Sequence, residues 1–460
     1  MPLRQPDYAL LSRNIATQNE VRAAAILIKN GKIIALVAPD AIPADCPTTD
    51  VGEHTILPGL VDPHVHLHAP NESSWHGFTT TTRAAAAGGV TTLVDMPING
   101  ETVSTKVHAI KQKQHAAKGN LWVDCGFYGG VVPSNKEQLE PLIAEGVLGL
   151  KAHMIDSHRP EFPRIDEKRL RRVLEMLARY DIPLLVHAEM RQAIHNEQNG
   201  VAETMYAYPQ FLASRPRAWE NRAVHRLVRL ARETQTHIHI VHLSSADTIP
   251  ALREARQAGV PLTIETCPHY LFFAAEQIRD GDTRFKCLPP IREQENRELL
   301  WQALHEGVID FVASDHAPVE RPASVEISDF LQAPAGFPSL QLTLPAIWTA
   351  AKKRGIGIQQ VVSWLSTRPA AFIGLGAQKG KIAPGYDADL VIFDTEKSIH
   401  IPREMMAQSE QATPYEGQTL QGEIIATYLR GEKIYERGHF ASAPKGRILQ
   451  KQRNGVLVKS

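Results

Sequence analysis

Cysteine is scarce in this chain, and its copies lie far apart. Cys46, Cys125, Cys267 and Cys287 are the four cysteines among 460 residues, and no two of them form a Cys-x-x-Cys pair. This scarcity and spacing argue against a disulfide framework and against a cysteine-based zinc site. Reduced thiols in a cytosolic compartment are the simpler interpretation.

The chain also lacks a surplus of charge of either sign. Its 50 lysine and arginine residues balance its 50 aspartate and glutamate residues, so the formal net charge is zero. Proteins that bind nucleic acids or anionic membranes normally carry a basic surplus. The balance therefore predicts neither a nucleic-acid nor a membrane partner.

Long apolar runs are missing as well. The first residues, MPLRQPDYALLSRN, contain no apolar stretch of the kind that a secretory signal needs, and no later run is long enough to span a bilayer. We therefore expect a soluble cytoplasmic protein. With 43% apolar and 22% charged residues, the composition is that of a globular protein. The length suits a large domain with a smaller module.

Both ends of the chain have the pattern of short β-strands. Residues 25–28 and 33–37 are apolar runs separated by Asn30-Gly31, a dipeptide that favours a tight hairpin turn. Further strand-like runs near the C-terminus cover 388–393, 424–429 and 433–435. We expect the two ends to assemble into one β-sandwich, with separate terminal domains as the alternative.

Between these ends, short apolar runs alternate with amphipathic helices. The runs are 60–66, 90–96, 122–128, 147–154, 183–189, 238–244, 262–270 and 309–315. Helices are predicted over 167–180 and 220–234, because apolar side chains recur there on one face. Eight β-α repeats favour a (β/α)8 TIM-type barrel over a doubly wound open sheet. The predicted fold is α/β, with the barrel at 58–375 and the β-sandwich built from 1–57 and 376–460.

Histidine, lysine and aspartate side chains stand at the carboxyl ends of these predicted strands. His64 and His66 close the first strand, and alternate residues of a strand point to the same side. Strands four, five, six and eight end with Lys151, His187, His242 and Asp315. In a barrel these ends form one rim, where barrel enzymes assemble their active sites. A lone histidine there is more often structural, but six such side chains at one rim predict a metal site.

The ligand set indicates two ions rather than one. Four histidines, one aspartate and one lysine are too many for a tetrahedral ion and suit two ions that share a bridging ligand. Imidazole and carboxylate favour zinc, and manganese, cobalt or iron(II) are compatible with them. A cationic lysine cannot coordinate a metal. We therefore hypothesise that Lys151 is carbamylated to N6-carboxylysine, an anion that can bridge both ions.

Further motifs carry a resemblance to a known family. They are LPGLVDPHVH at 57–66, WHGF at 75–78, AAAAGG at 84–89, VTTLVDMPIN at 90–99, ETCPHY at 265–270, KCLPPIR at 286–292, KGKIAPG at 379–385 and APKG at 443–446. With these motifs and the metal ligands, the chain resembles the cyclic amidohydrolase branch of the amidohydrolase superfamily from about residue 20 to 450. That branch includes dihydroorotases, dihydropyrimidinases and allantoinases, and the MPIN and WHGF motifs favour the allantoinase group.

Several positions depart from these families. Dihydroorotases carry an arginine after the HxH pair to hold the substrate carboxylate, whereas this chain has His68 there, and Leu288 replaces their asparagine. Ala69, His153 and the loop at 333–340 differ from the allantoinase pattern. His68 and His153 can be substrate contacts, additional metal contacts or surface histidines.

The resemblance implies hydrolytic opening of a cyclic amide, with allantoin converted to allantoate in purine catabolism. It implies that Asp315 acts as general base and then general acid. It also implies that backbone groups near Leu288 and Gly336, together with Asn99, orient the ring amide. A turn residue is an equally good explanation of Asn99. The alternatives are a dihydroorotase, a hydantoinase or another cyclic amidase, and a non-catalytic scaffold protein, which loss of metal ligands would mark. A homotetramer or homodimer is the implied assembly.

Overall fold

The structure is a computed structural model that describes residues 5–67, 77–98, 102–191, 204–318, 328–402 and 413–451. The strands are β1 Tyr8–Ala16, β2 Val21–Lys29, β3 Lys32–Val37, β4 Thr48–Asp50, β5 Thr55–Pro58, β6 Leu60–Val65, β7 Val90–Asp95, β8 Asp124–Phe127, β9 Gly129–Gly130, β10 Leu150–His153, β11 Leu184–His187, β12 Ile238–Ile240, β13 Leu262–Thr266, β14 Phe311–Val312, β15 Leu390–His400, β16 Thr419–Leu429, β17 Glu432–Glu436 and β18 His439–Phe440.

The α-helices alternate with the central strands. They are α1 Phe78–Ala87, α2 Val107–Ala117, α3 Lys136–Ala144, α4 Glu167–Leu177, α5 Tyr208–Ser214, α6 Arg217–Thr234, α7 Ile249–Gln257, α8 Pro268–Phe272, α9 Gln294–His305, α10 Thr343–Lys352, α11 Ile358–Val362 and α12 Arg368–Phe372. A π-helical turn, Ser363–Thr367, joins α11 to α12. Within the described part of the chain, no helix is long and apolar enough to cross a membrane.

Strands β6 to β14 close into a parallel barrel. β6, β7 and β8 pair in chain order, as do β9 to β14. β8 and β9 are two stretches of one strand around Tyr128, whose N–H donates to Asp95 O at 3.0 Å. A parallel bridge from Val65 to His316 closes the ring between the first and last strands. The predicted (β/α)8 barrel is therefore confirmed.

The predicted elements are present, but several of their boundaries were wrong. The run at 262–270 was predicted as one strand, whereas β13 ends at Thr266 and the helix α8 begins at Pro268. Proline has no N–H for a sheet hydrogen bond and favours the first turn of a helix. Helix α6 begins at Arg217, directly after Pro216 and ahead of the predicted start.

Helix α4 shows how the sequence pattern produces the packing around the barrel. The Asp166 carboxylate accepts a hydrogen bond from the N–H of Arg169 at 2.8 Å and so caps the first turn. Four apolar side chains of α4, which recur every three to four residues, are buried: Leu170, Val173, Leu174 and Leu177. This buried face packs onto the core around the barrel, as the periodicity predicts.

Both chain ends contribute to one further sheet. Its strand order is β18-β17-β16-β15-β5-β1-β2-β3, with β4 paired to β1. Antiparallel pairing of β5 with β15 joins the N-terminal part to the C-terminal part. The predicted hairpin between β2 and β3 is confirmed, with Asn30 and Gly31 at positive φ of 49° and 73°. The two ends thus form one β module, while the domain boundaries 1–57, 58–375 and 376–460 stay a prediction.

A buried cluster of charges connects this module to the barrel. The Nζ of Lys379, whose exposed fraction is 2%, lies 2.5 Å from Asp389, 2.8 Å from Asp124 on β8 and 3.3 Å from Asp387. Burial lowers the pKa of Lys379, but Asp389 and Asp124 outweigh burial and raise it. The lysine is therefore charged and offsets the carboxylates between the two parts of the protein.

Replacement of Lys379 by methionine should destabilise the protein strongly. We expect a loss of about 3–5 kcal/mol, because buried carboxylates are left without their cation. Urea-induced unfolding measures the loss, with Lys397→Met, at an exposed position of β15, as the control within about 0.5 kcal/mol of the parent. Equal stability of the two variants would contradict the assigned role of Lys379.

Candidate metal centre

The closed barrel brings the six predicted side chains to one cavity of about 270 Å³. They are His64 on β6 with His66 just after it, Lys151 on β10, His187 at the end of β11, His242 after β12 and Asp315 after β14. The cavity lies at the carboxyl ends of the strands, the usual place of a barrel active site.

The histidines and Asp315 approach one another closely. Nε2 of His64 lies 3.0 Å from Oδ1 of Asp315, and Nε2 of His66 lies 3.3 Å from the same oxygen. One nitrogen or oxygen from each of these three residues lies within 4.8 Å of the other two. The rings of His187 and His242 form a neighbouring pair with centroids 4.6 Å apart. This spacing allows several of these groups to bind shared ions.

Two of the six residues have an unusual backbone conformation. His242 and Asp315 have positive φ angles of 40° and 48°, in the left-handed region that residues other than glycine rarely adopt. Such conformations cost free energy and cluster at functional sites. Here they occur where the chain leaves the strands β12 and β14.

Lys151 differs from the other deeply buried lysines. Its exposed fraction is 2%, yet no described residue forms a hydrogen bond or salt bridge with its amino group. Lys113, by contrast, lies 2.6 Å from Asp95, and Lys379 has three carboxylate partners. Burial lowers the pKa of Lys151 to about 8, despite the opposing effect of Glu265 and Asp315. An unpartnered buried ammonium is costly, so this position fits a lysine converted to an anion.

A buried glutamate holds His64. Nδ1 of His64 is hydrogen-bonded to Glu265, whose second oxygen lies 3.0 Å from Nε2 of His239. Burial raises the pKa of Glu265, but His64 and His239 outweigh burial and lower it to about 2. Burial lowers the pKa of His64, but Glu265 and Asp315 outweigh burial and raise it to about 9. The two carboxylates around His64 therefore stabilise positive charge at this position, and a bound metal ion would supply that charge.

The other histidines of the site are suited to bind a metal in their neutral form. Burial lowers the pKa of His66, His187 and His242. Neutral imidazole is the form that ligates metal ions. The donor set of the cavity thus fits a pair of divalent ions.

Of the five residues predicted to contact the substrate, three line the cavity and two lie outside the described residues. His153, Leu288 and Gly336 line the same cavity. The surface interpretation of His153 is wrong, because its exposed fraction is 9% and its ring stacks on His187 with centroids 4.7 Å apart. His68 and Asn99 lie outside the described residues.

Sequence reasoning missed several residues of the site. Glu189 contacts His187 and Arg215, and Arg159 and Arg215 both line the cavity. The sequence marks Glu265 only as part of a motif, although a single acidic residue between Ile264 and Thr266 in the predicted buried strand is a signal of a buried role. Arg159 and Arg215 come from loops, and no periodic pattern marks them.

Comparisons with known proteins agree with this geometry. The amidohydrolase family model matches residues 55–434. An allantoinase of Streptomyces avermitilis is 42% identical over 97% of this chain and 99% of its own, and that of Saccharomyces cerevisiae is 43% identical over 87% of each chain. Among solved structures, the L-hydantoinase (dihydropyrimidinase) of Arthrobacter aurescens has a TM-score of 0.86 at 27% identity, covering 96% of this chain and 100% of its own.

Proposed function

Since the chain belongs to the amidohydrolase family and groups with the allantoinases within it, we propose that it hydrolyses allantoin to allantoate. The observation that carries this proposal is the meeting at one cavity of four histidines, Asp315 and Lys151, a buried lysine with no partner among the described residues. The reaction opens a cyclic amide and belongs to purine catabolism. Loss of metal ligands would mark a non-catalytic scaffold, and all six proposed ligands are present in this chain.

Enzymes of this family generally use a binuclear metal centre. We propose that His64, His66, Lys151, His187, His242 and Asp315 hold two divalent ions. Zinc suits these ligands best, and manganese, cobalt and iron(II) are alternatives. Carbamylated Lys151 would supply the anionic bridge between them. When bound, such ions lower the pKa of a water to roughly 7 and polarise the scissile carbonyl.

The position of Asp315 suits proton transfer from the attacking water to the leaving group. Its Oδ1 faces both His64 and His66, which leaves Oδ2 for the proton of the attacking water. Asp315 would accept that proton as general base and deliver it to the departing ring nitrogen as general acid.

Four further residues of the cavity, Gly336, Leu288, His153 and Arg159, would bind the ring and its ureido arm. The N–H of Gly336 already donates to Lys286 O at 3.0 Å, so its carbonyl oxygen is the group available to an amide N–H of the substrate. Leu288 and His153 line the ring site, and the proposed contacts extend to Asn99 and His68. The guanidinium of Arg159 can donate to a carbonyl oxygen of the ureido arm.

A second candidate substrate is a hydantoin or dihydropyrimidine without the ureido arm. It is favoured by the solved hydantoinases, such as a D-hydantoinase with a TM-score of 0.87 over 97% of this chain. That hydantoinase is 27% identical to this chain, whereas an allantoinase is 42% identical, and the higher sequence identity supports allantoin as the substrate. We further propose a homotetramer or homodimer located in the cytoplasm.

Replacement of Lys151 by alanine should empty the metal site wholly or by half and abolish turnover. The alanine removes the proposed bridging carboxylate, and metal analysis together with an allantoin assay measures both effects. Added acetate should restore part of the activity, because it supplies a carboxylate to the vacated space. Full metal content and activity in the variant would contradict the bridging role.

Asp315→Asn should lower kcat by about 10²–10⁴-fold or more in metal-loaded protein, with a much smaller change in KM. The amide cannot accept the proton from water. Asp156→Asn is the matched control, because Asp156 lines the same cavity but lies on its exposed loop. Near-normal turnover of Asp315→Asn would remove this residue from the mechanism.

Allantoin should be opened at least ten times more efficiently than dihydroorotate, as judged by kcat/KM on zinc- and manganese-loaded protein. Dihydroorotate carries a carboxylate. A charge-assisted hydrogen bond to that carboxylate would contribute roughly 1.5–3 kcal/mol to its binding. Position 68 is a histidine rather than the arginine of dihydroorotases, and Arg215 is already paired with Glu189 at 3.0 Å.

Hydantoin, which is allantoin without the ureido arm, is the matched substrate and should be the poorer of the two. Faster opening of dihydroorotate would refute the assignment to allantoin. In that case, loss of the preference for dihydroorotate in Arg159→Met would identify Arg159 as the group that binds the carboxylate of dihydroorotate.

A further inference from the structure

A buried chain of polar contacts runs from His187 through a carboxylate to an arginine that also lines the cavity. Nε2 of His187 lies 2.8 Å from Oε2 of Glu189, and Nη1 of Arg215 lies 3.0 Å from the same oxygen. The side chain of Glu189 is 1% exposed and that of Arg215 is 12% exposed. We propose that Glu189 and Arg215 are positioning residues that fix His187 as a metal ligand through Nδ1 and thereby control retention of the ion it holds. This inference rests on the proposed metal centre.

The contact with Glu189 determines which ring nitrogen of His187 is available. A carboxylate accepts the hydrogen bond, so the proton lies on Nε2 and Nδ1 is left with its lone pair. His64 has the reverse arrangement, because its Nδ1 is bonded to Glu265 and Nε2 faces Asp315. A carboxylate on the far nitrogen fixes the orientation of the ring and strengthens its bond to a metal.

Arg215 offsets the cost of burying the Glu189 carboxylate. A buried anion with a single neutral partner is costly, and a guanidinium beside it offsets that cost. Arg215 directly follows helix α5 and precedes Pro216, and its guanidinium lies over the ring of Trp219, 5.8 Å from the centroid. The N–H of Met190 donates to Trp219 O at 2.9 Å and ties the loop after β11 to helix α6. The cation is thus held in a fixed place.

His187 is restrained from its face as well as from its edge. The ring of His153 stacks on it at an interplanar angle of 16°. Stacking limits tilting of the imidazole, whereas Glu189 limits rotation in its plane. The two contacts together leave one orientation for Nδ1.

Glu189 and Glu265 serve different ligands. Glu265 bonds His64 and His239 and also accepts the backbone N–H of His242 at 3.2 Å, so its loss disturbs several elements. Glu189 contacts only His187 among the six metal ligands. Removing Glu189 should therefore weaken the binding of one ion and spare the other.

The test is metal retention by the full-length protein loaded with zinc. Dialysis against a series of chelator concentrations, followed by metal analysis, gives the ions that remain per chain. Wild type should release two ions in steps, and Glu189→Ala should lose one of them at about 10–100-fold lower chelator concentration. Glu189→Gln and Arg215→Lys should shift the same step by smaller factors, because each keeps part of the contact.

Activity separates positioning from a part in the chemistry. Excess zinc should restore most of kcat in Glu189→Ala with KM little changed, because the lost function is retention of the ion. Asp124→Asn is the matched control. Asp124 is also a buried carboxylate paired with an arginine, since its Oδ2 lies 2.6 Å from Nη1 of Arg430, but it does not line the cavity. It should be destabilised yet retain both ions like wild type.

Retention of both ions by Glu189→Ala at wild-type chelator concentrations would overturn the inference and leave the metal centre intact. If Glu189→Ala does not fold, unchanged retention by Glu189→Gln and Arg215→Lys would overturn it equally. A wild-type protein that binds fewer than two ions would instead contradict the proposed function.

Discussion

Closure of the parallel barrel is the constraint on which the site depends. The N–H of His66 donates to the carbonyl of His316 at 2.8 Å, so the first and last strands meet at the rim. That contact brings His64 and Asp315, from opposite ends of the barrel sequence, to within 3.0 Å. Because all the strands are parallel, their carboxyl ends share one side, and side chains spread over most of the chain face a single cavity.

Charge balance explains why this cavity fits metal ions. Lys113 and Lys379 are buried against carboxylates, as buried cations must be. Lys151 is equally buried and lacks such a partner among the described residues, while the anionic Glu265 and Asp315 favour positive charge at His64. A carbamylated lysine and two divalent cations would satisfy both conditions at once: the lysine would exchange its positive charge for a negative one, and the carboxylates would gain cations.

The sequence predicted the barrel and the six candidate side chains that meet at the cavity because both depend on local patterns. Apolar runs, helical periodicity and the position of a residue at a strand end are all visible within a few neighbours. The supporting residues were not visible in this way, since Glu265 contacts His64 across 201 positions and Arg215 reaches Glu189 from another loop. Strand ends were also misjudged, as at Pro268, where the backbone chemistry of one residue outweighed an apolar pattern. The burial of His153 follows only from the packing of Phe162 and His187 around it.

In the metal centre that we propose, one anionic lysine and five other side chains hold two ions at the barrel rim. Anomalous diffraction from crystals of metal-loaded protein, collected on either side of the absorption edge of the metal, tests it most directly. We expect two anomalous peaks among His64, His66, His187, His242 and Asp315, with density for a carboxylate on Lys151 between them. A single peak, or an unmodified Lys151 pointing away from two ions, would contradict it.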